Sequence, residues 1–193
     1  MKRSKIIMII GALMMLLLFV FPLYNITLEA PQYPEPLGMD IWINKVTDHN
    51  PNDIKNINLM NHYIGMRDVP IKIKEFEIFP IVIIIMASLG VLIGLIGRRK
   101  LYLTWGIVMI ILGIVGMYDF YLWLYDYGHN LNPHAAIKIP GQGYMPPLFG
   151  AKSILNFNAI SLPMTGAYFM IIGIILSFIA FFQAKKEAKK VYH

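Results

Sequence analysis

Residues 79–124 read FPIVIIIMASLGVLIGLIGRRKLYLTWGIVMIILGIVGMYDFYLWL. Two apolar runs in this stretch are separated by only three basic residues, Arg98, Arg99 and Lys100. Each run has the roughly 17 to 25 residues that an α-helix needs to cross the hydrocarbon core of a bilayer. Because the gap leaves room only for a tight turn, the stretch predicts a hairpin of two membrane-spanning helices.

The rest of the chain repeats this apolar character. Of its 193 residues, 57% are hydrophobic and 15% are charged, and further apolar blocks lie near both ends. The expected fold class is therefore an all-α membrane protein, with residues 1–193 forming a single membrane domain. Four transmembrane helices are predicted, at about 6–23, 79–97, 101–124 and 162–182.

The distribution of lysine and arginine predicts the orientation. Three basic residues precede the first apolar block, three fill the hairpin turn and four follow the last block. By the positive-inside rule, both termini and the hairpin turn face the cytoplasm. Two long loops, about 25–78 and 125–161, then face outward. The ten basic residues are Lys2, Arg3, Lys5, Arg98, Arg99, Lys100, Lys185, Lys186, Lys189 and Lys190.

The first long loop is expected to contain short β-strands. The sequence IKIKEFEIF at 71–79 alternates apolar and charged residues, as a half-buried strand does. A strand from Met39 to Val46 is its predicted partner. Between them, Asp48 or Asn50 is expected to cap a turn.

Composition also narrows the classes of function. The net charge of +6 follows from the basic ends, which the lipid bilayer attracts, so no nucleic-acid partner is expected. The chain has no cysteine, which excludes disulfides and thiolate ligands. No GxSxG motif occurs, and Gly141-Gln142-Gly143 lacks the lysine of a phosphate-binding loop. We therefore expect no enzyme activity, no nucleotide cofactor and, with no histidine inside a predicted span, no haem.

Small residues recur at four-residue spacing in the apolar blocks, as in Gly90 and Gly94. In lipid, small side chains let helix backbones approach closely, and this drives much of helix association. The pattern predicts a compact bundle. Other small residues that contribute to it are Gly106, Gly113, Gly116, Gly173 and Ser177.

The second long loop has the most distinctive sequence. Residues 125–152 read YDYGHNLNPHAAIKIPGQGYMPPLFGAK, with four prolines and four glycines. These residues interrupt helices and central strands, so an irregular loop of fixed shape is predicted. Such loops commonly carry binding sites.

Soft metal donors are present in both loops. Imidazole and thioether ligands suit copper, particularly Cu(I), whereas zinc sites typically use cysteine or an HExxH motif, which this chain lacks. Copper is therefore the expected cofactor. The alternative for each methionine is packing, and for each histidine a hydrogen-bonded loop residue. The candidate ligands are His62, His129, His134, Met60 and Met66, with Met39 and Met145 as further ones.

Two acids lie near the end of the third predicted helix. Asp119 and Asp126 are seven residues apart, so both carboxylates project from one helical face. An acid within a membrane helix is costly unless it is paired or functional. We predict that the two acids orient a metal ligand, His129, by hydrogen bonding. The alternative is an aromatic belt at the membrane surface with a snorkelling acid.

The loop sequences resemble those of a small family of four-helix inner-membrane proteins. The stretches that carry the resemblance are 23–43, 57–66, 118–152 and 153–163. Genes of this family lie beside those for nitrous oxide reductase and its copper-delivery lipoprotein in Bacteroidota-type gene clusters. In the family pattern the order of Gln142 and Met145 is reversed, which argues against a general ligand role for Met145.

The resemblance implies a place and a role. The protein is expected in the bacterial inner membrane, with its loops facing the periplasm. It would support nitrous oxide reductase maturation by relaying copper, with the reductase or the copper-delivery lipoprotein as its partner. The alternative is a metal-free scaffold that docks a periplasmic respiratory enzyme or its electron donor.

Overall fold

The computed structural model describes residues 2–137, 139, 141 and 143–189. Lys190 of the predicted basic end, and Pro140 and Gln142 of the predicted loop, lie outside this range. Within it, the chain forms α-helices and one antiparallel sheet. The helices are α1 (Arg3–Met14), which a 3-10 segment (Met15–Phe19) continues, α2 (Asp53–Ile64), α3 (Glu75–Ile96), α4 (Arg99–His129) and α5 (Thr165–Lys189). The strands are β1 (Tyr24–Glu29), β2 (Leu37–Ile41), β3 (Val46–Asp48), β4 (Gly150–Ile154) and β5 (Phe157–Pro163).

The predicted all-α fold with four spans is wrong. Five strands form a sheet in the order β3-β2-β1-β5-β4, so the protein is mixed α and β. In the described part of the chain, three helices, α3, α4 and α5, are long and apolar enough to cross a membrane. The first apolar block is divided between α1 and the 3-10 segment and is not among them. The start of the fourth block belongs to β5, because its residues pair with β1 across more than a hundred residues of chain.

The predicted strand at 71–79 is also wrong. Residues from Glu75 onward belong to α3, and a backbone hydrogen bond from Phe76 to the Ile73 carbonyl forms the first turn. Glu75 and Glu77 lie where the helix dipole favours negative charge, which stabilises this helical start. The prediction for Asp48 is confirmed: its carboxylate accepts the Ile54 N–H at 2.6 Å, at the first turn of α2.

Helices α1, α3, α4 and α5 pack into one unit, the bundle, around an apolar core. Close contacts occur at small residues, as predicted. A Cβ added at Gly173 would lie 2.6 Å from the Gly11 carbonyl oxygen, and one at Gly90 would lie 2.5 Å from Ala12 Cβ. The prediction fails at Gly116, where nothing lies within 4 Å.

The basic segments meet at one end of the bundle. The Lys5 amino group donates to the Leu95 carbonyl at 2.6 Å, which joins the start of α1 to the hairpin turn. The Ser4 backbone N–H and hydroxyl donate to the two Glu187 carboxylate oxygens at 3.1 and 2.7 Å. Glu187 thereby satisfies a free N–H at the start of α1. The sheet and α2 lie at the opposite end.

A second apolar core lies at that opposite end. Helix α4 has 31 residues, about 46 Å at 1.5 Å per residue, against about 30 Å for a hydrocarbon core. Its last third therefore extends beyond the bundle and packs on the sheet through Phe120 and Leu124. We call the sheet, α2, residues 120–129 and the segment after α4 the cap. Leu23 packs against both cores and so joins the cap to the bundle.

Candidate functional site on the cap

The three predicted histidine ligands lie on the surface of the cap. His62 is on α2, His129 is the last residue of α4, and His134 follows in the loop; all three are exposed. Within the described residues, no three His, Cys, Asp or Glu side chains come together in a group that could hold a metal. The three imidazoles thus do not form a metal site by themselves in this conformation.

The methionines contact the core of the cap. Met60 and Met66 are half-buried against it, and Met39 is buried within it on β2. The Met60 sulfur also accepts a hydrogen bond from the Gln32 amide at 3.6 Å. Met145 is half-buried beside Gly128, where an added Cβ would lie 2.4 Å from Met145 Cα. These contacts are those of side chains that fill a core.

A backbone carbonyl, not an acid, orients His129. Its Nδ1 lies 2.8 Å from the Tyr125 carbonyl oxygen, and its ring stacks on the Tyr125 ring at 4.2 Å between centroids. The carbonyl accepts the proton of Nδ1, so in the neutral ring Nε2 carries the lone pair. Nε2 faces Gly143, where an added Cβ would lie only 2.6 Å away.

The two predicted orienting acids lie elsewhere. Asp126 forms an ion pair with Arg67, and its other oxygen is 3.5 Å from the Asn130 amide. Asp119 is half-buried on α4, immediately before the residues that pack on the sheet. The role predicted for an acid beside His129 is therefore filled by the Tyr125 carbonyl.

A buried amide was missed by the sequence analysis. Asn61 is 4% exposed, and its side-chain nitrogen donates to the Tyr127 hydroxyl at 2.8 Å and to the Arg67 carbonyl at 3.2 Å. These bonds join α2, the end of α4 and the segment after α2. The pattern that indicates it is apolar spacing, because Asn61 lies between Ile57 and Ile64 on one face of α2.

Backbone hydrogen bonds hold the described residues of the second loop. Asn132 N–H donates to the Gly65 carbonyl at 2.8 Å, and Ile137 N–H donates to the Tyr63 carbonyl at 2.9 Å. Near the other end, Tyr144 N–H donates to the Gly128 carbonyl at 2.8 Å. The loop is thus attached to both α2 and α4.

An apolar patch lies where α2 meets this loop. Leu59 and Tyr63 are one turn apart on α2 and are 52% and 50% exposed. Ile137, bonded to the Tyr63 carbonyl, is 47% exposed, and His62 packs edge-on against Tyr63. We call Leu59, His62, Tyr63 and Ile137 the α2 patch. It has no partner within the described part of the chain that would bury it.

The face of the sheet away from the cap core carries a row of polar groups. Asp40 Oδ2 lies 3.1 Å from His49 Nδ1, and Asp40 Oδ1 accepts the Asn25 amide at 2.7 Å. The Thr27 hydroxyl donates to Asn25 at 2.6 Å. One imidazole and one carboxylate supply too few ligands for a metal, and this row joins β1, β2 and the residue that follows β3.

Tyr24 anchors the second loop to the first strand. Its hydroxyl donates to the Leu148 carbonyl, and its ring packs edge-on against Phe120 and Phe149. Burial raises the pKa of Tyr24 to about 12, since the charged phenolate would lose its hydration. The phenol therefore keeps the proton that it donates well above neutral pH.

The chain matches no family model, no curated protein and no solved structure.

Proposed function

We propose that this chain is a membrane-anchored accessory protein that docks a partner on its cap. The observation that carries the proposal is the α2 patch, which exposes Leu59 and Tyr63 on a helix held firmly to the bundle. Asn61 in the last turn of that helix bonds to Tyr127 on α4, and α4 continues into the apolar bundle. Exposed apolar side chains on a rigid element are typical of protein-interaction sites.

We further propose that the bundle lies in the bacterial inner membrane with the cap in the periplasm. The basic segments meet at one end of the bundle, and the positive-inside rule puts that end in the cytoplasm. The resemblance of the loop sequences to the family encoded beside nitrous oxide reductase favours that reductase, or its copper-delivery lipoprotein, as the partner.

The orientation can be tested by labelling, because the natural chain has no cysteine. Ala151→Cys places a thiol on β4 of the cap, and Ala188→Cys places one at the basic end; both positions are exposed. In intact spheroplasts a membrane-impermeant maleimide should label only Ala151→Cys. After lysis it should label both. Labelling of Ala188→Cys alone in intact spheroplasts would reverse the proposed orientation.

The docking proposal can be tested with the full chain in nanodiscs and purified nitrous oxide reductase. Leu59→Asp/Tyr63→Asp puts two charges into the α2 patch, and we expect binding to weaken by roughly thirtyfold or more, since each of the two interface anchors typically contributes about 1 kcal/mol or more. Leu155→Asp is the control, because Leu155 is 40% exposed in the turn between β4 and β5, at the edge of the sheet away from α2. Equal affinities for all three proteins would reject the α2 patch as the docking surface.

A copper relay is the second candidate function. The observation that favours it is the hydrogen bond from His129 to the Tyr125 carbonyl, which leaves Nε2 as the nitrogen that can bind a metal. A site would need His129 to be joined by other donors of the cap, which requires a change in the conformation described above.

Titration with Cu(I) against a competing chelator tests this second candidate. One copper ion per chain is expected, with lower affinity at acid pH, because a protonated imidazole cannot bind a metal. The variant His62→Ala/His129→Ala/His134→Ala should lose the ion, whereas His49→Ala should keep it. Binding that is absent, or unchanged in the triple variant, would leave docking as the only proposal.

A further inference from the structure

The segment between α2 and α3 exposes an isoleucine among lysines. Ile71 is 80% exposed, more than any other large apolar side chain in the described residues. Lys72 and Lys74 beside it are also exposed. Water is a poor environment for a side chain of this kind, and a bilayer surface offers both an apolar layer and negative phosphates.

The length of α3 places this segment at the membrane surface. Its 22 residues are about 33 Å long, which matches the hydrocarbon core of about 30 Å. When α3 crosses the bilayer, Glu75 therefore lies at the outer boundary of that core. Ile71 is only four residues away, and the headgroup layer adds about 5 to 7 Å on each side. Ile71 thus lies within reach of the headgroups.

A second element reaches the same level. Ile43, in the turn between β2 and β3, is 5% exposed and packs into the core of the bundle. Its neighbour Trp42 donates its indole N–H to Thr47 at 2.9 Å, and the Lys45 amino group lies 4.8 Å from the centre of the Trp42 ring. Tryptophan and lysine are typical of the layer where membrane helices meet the headgroups.

The two elements are neighbours in space. Ile71 lines an open cleft together with Val46 and Thr47, which directly follow the turn that holds Trp42. Lysines thus flank both sides of one surface that also exposes an apolar side chain. Among the described residues that line this cleft, Asp48 is the one acid, and its carboxylate is already bonded to the Ile54 N–H.

We propose that the Trp42–Lys45 turn and the Ile71–Lys74 segment form one lipid-binding surface at the side of the cap that faces the bundle. Ile71 inserts at the boundary between headgroups and acyl chains, and Lys45, Lys72 and Lys74 contact the phosphates of anionic phospholipid. The surface holds the cap at a fixed height above the bilayer. The proposal requires α3 to cross the membrane, but it does not depend on a docking partner or on copper.

Depth measurements on the full chain in nanodiscs test the insertion. A spin label on Ile71→Cys should be more accessible to oxygen than to a water-soluble nickel chelate, because oxygen concentrates in lipid. The label on Leu59→Cys is the matched control, since Leu59 is half-exposed on α2, and it should show the opposite preference. Equal preference for the nickel chelate at both positions would overturn the proposal.

The same label tests the choice of lipid. In nanodiscs that contain phosphatidylglycerol, the Ile71→Cys label should lie deeper than in nanodiscs of pure phosphatidylcholine. The added changes Lys45→Gln, Lys72→Gln and Lys74→Gln should abolish this difference, whereas Lys185→Gln, Lys186→Gln and Lys189→Gln should leave it intact. A depth that is the same in both lipids would overturn the anionic-lipid part of the proposal.

Discussion

Gly173→Val should destabilise the whole protein, whereas Gly116→Val should leave its stability almost unchanged. Gly173 lies where α5 crosses α1, and an added Cβ would stand 2.4 Å from Met15 Cε and 2.6 Å from the Gly11 carbonyl oxygen. The methionine side chain can move, but the backbone oxygen cannot move without separating the helices. Overpacking of this kind typically costs about 1 to 3 kcal/mol and more where backbone must shift.

Gly116 makes a matched control. It also lies within an apolar helix, but nothing lies within 4 Å of its added Cβ. Valine changes backbone entropy and helix propensity equally at both positions, so the comparison isolates the contact between α5 and α1. Thermal unfolding of the detergent-solubilised protein, followed by the loss of the monodisperse peak in gel filtration, measures both. An equal loss of stability in the two variants would mean that the Gly11–Gly173 crossing does not hold the bundle together.

Asp53→Ala should unfold the part of the cap that contains α2, while the bundle stays folded. Asp53 is 4% exposed, and its Oδ2 accepts the Gly38 N–H at 2.8 Å and the Asn50 N–H at 2.9 Å. Alanine leaves the buried Gly38 N–H and the partly buried Asn50 N–H without an acceptor. Since each such group costs about 1 to 3 kcal/mol, we expect a loss of roughly 2 to 4 kcal/mol.

Asp53→Asn separates hydrogen bonding from charge. Its amide oxygen can take the position of Oδ2 and keep both bonds, so this variant should retain most of the stability. Hydrogen exchange of the full chain in nanodiscs locates the effect. Asp53→Ala should lose amide protection in β2 and α2 and retain it in α3 and α5. Similar protection in the alanine and asparagine variants would show that the two hydrogen bonds contribute little.

Properties that are local in the chain were predicted from the sequence. The apolar runs of α3 and α4, separated by Arg98 to Lys100, were recognised as two helices, because the length and composition of a run depend only on neighbouring residues. The small-residue contacts at Gly90 and Gly173 were predicted for the same reason. The common position of the basic segments at one end of the bundle followed from the alternation of apolar blocks and loops.

The sheet could not be predicted in this way. Tyr24 pairs with Pro163, and Asn25 pairs with Leu162, across more than a hundred residues. Strands β1 and β5 are short and lie directly beside apolar helical blocks, so most of their residues were assigned to the long loops, and Leu162 and Pro163 were assigned to the fourth predicted helix. Strand formation depends on which neighbour a segment meets, and this is why the alternating stretch at 71–79 became a turn and the start of α3.

The residue types at the candidate site were visible in the sequence, but their surroundings were decided by the tertiary structure. Met60 and His62 are two residues apart, yet the first faces the core of the cap and the second faces solvent. Asp126 was expected to orient His129, yet it forms an ion pair with Arg67, which comes from the segment after α2. Spacing along a helix determines which face a residue occupies. Which other segment covers that face depends on residues far away in the chain. In this protein it was decided by the packing of α2, α4 and the sheet.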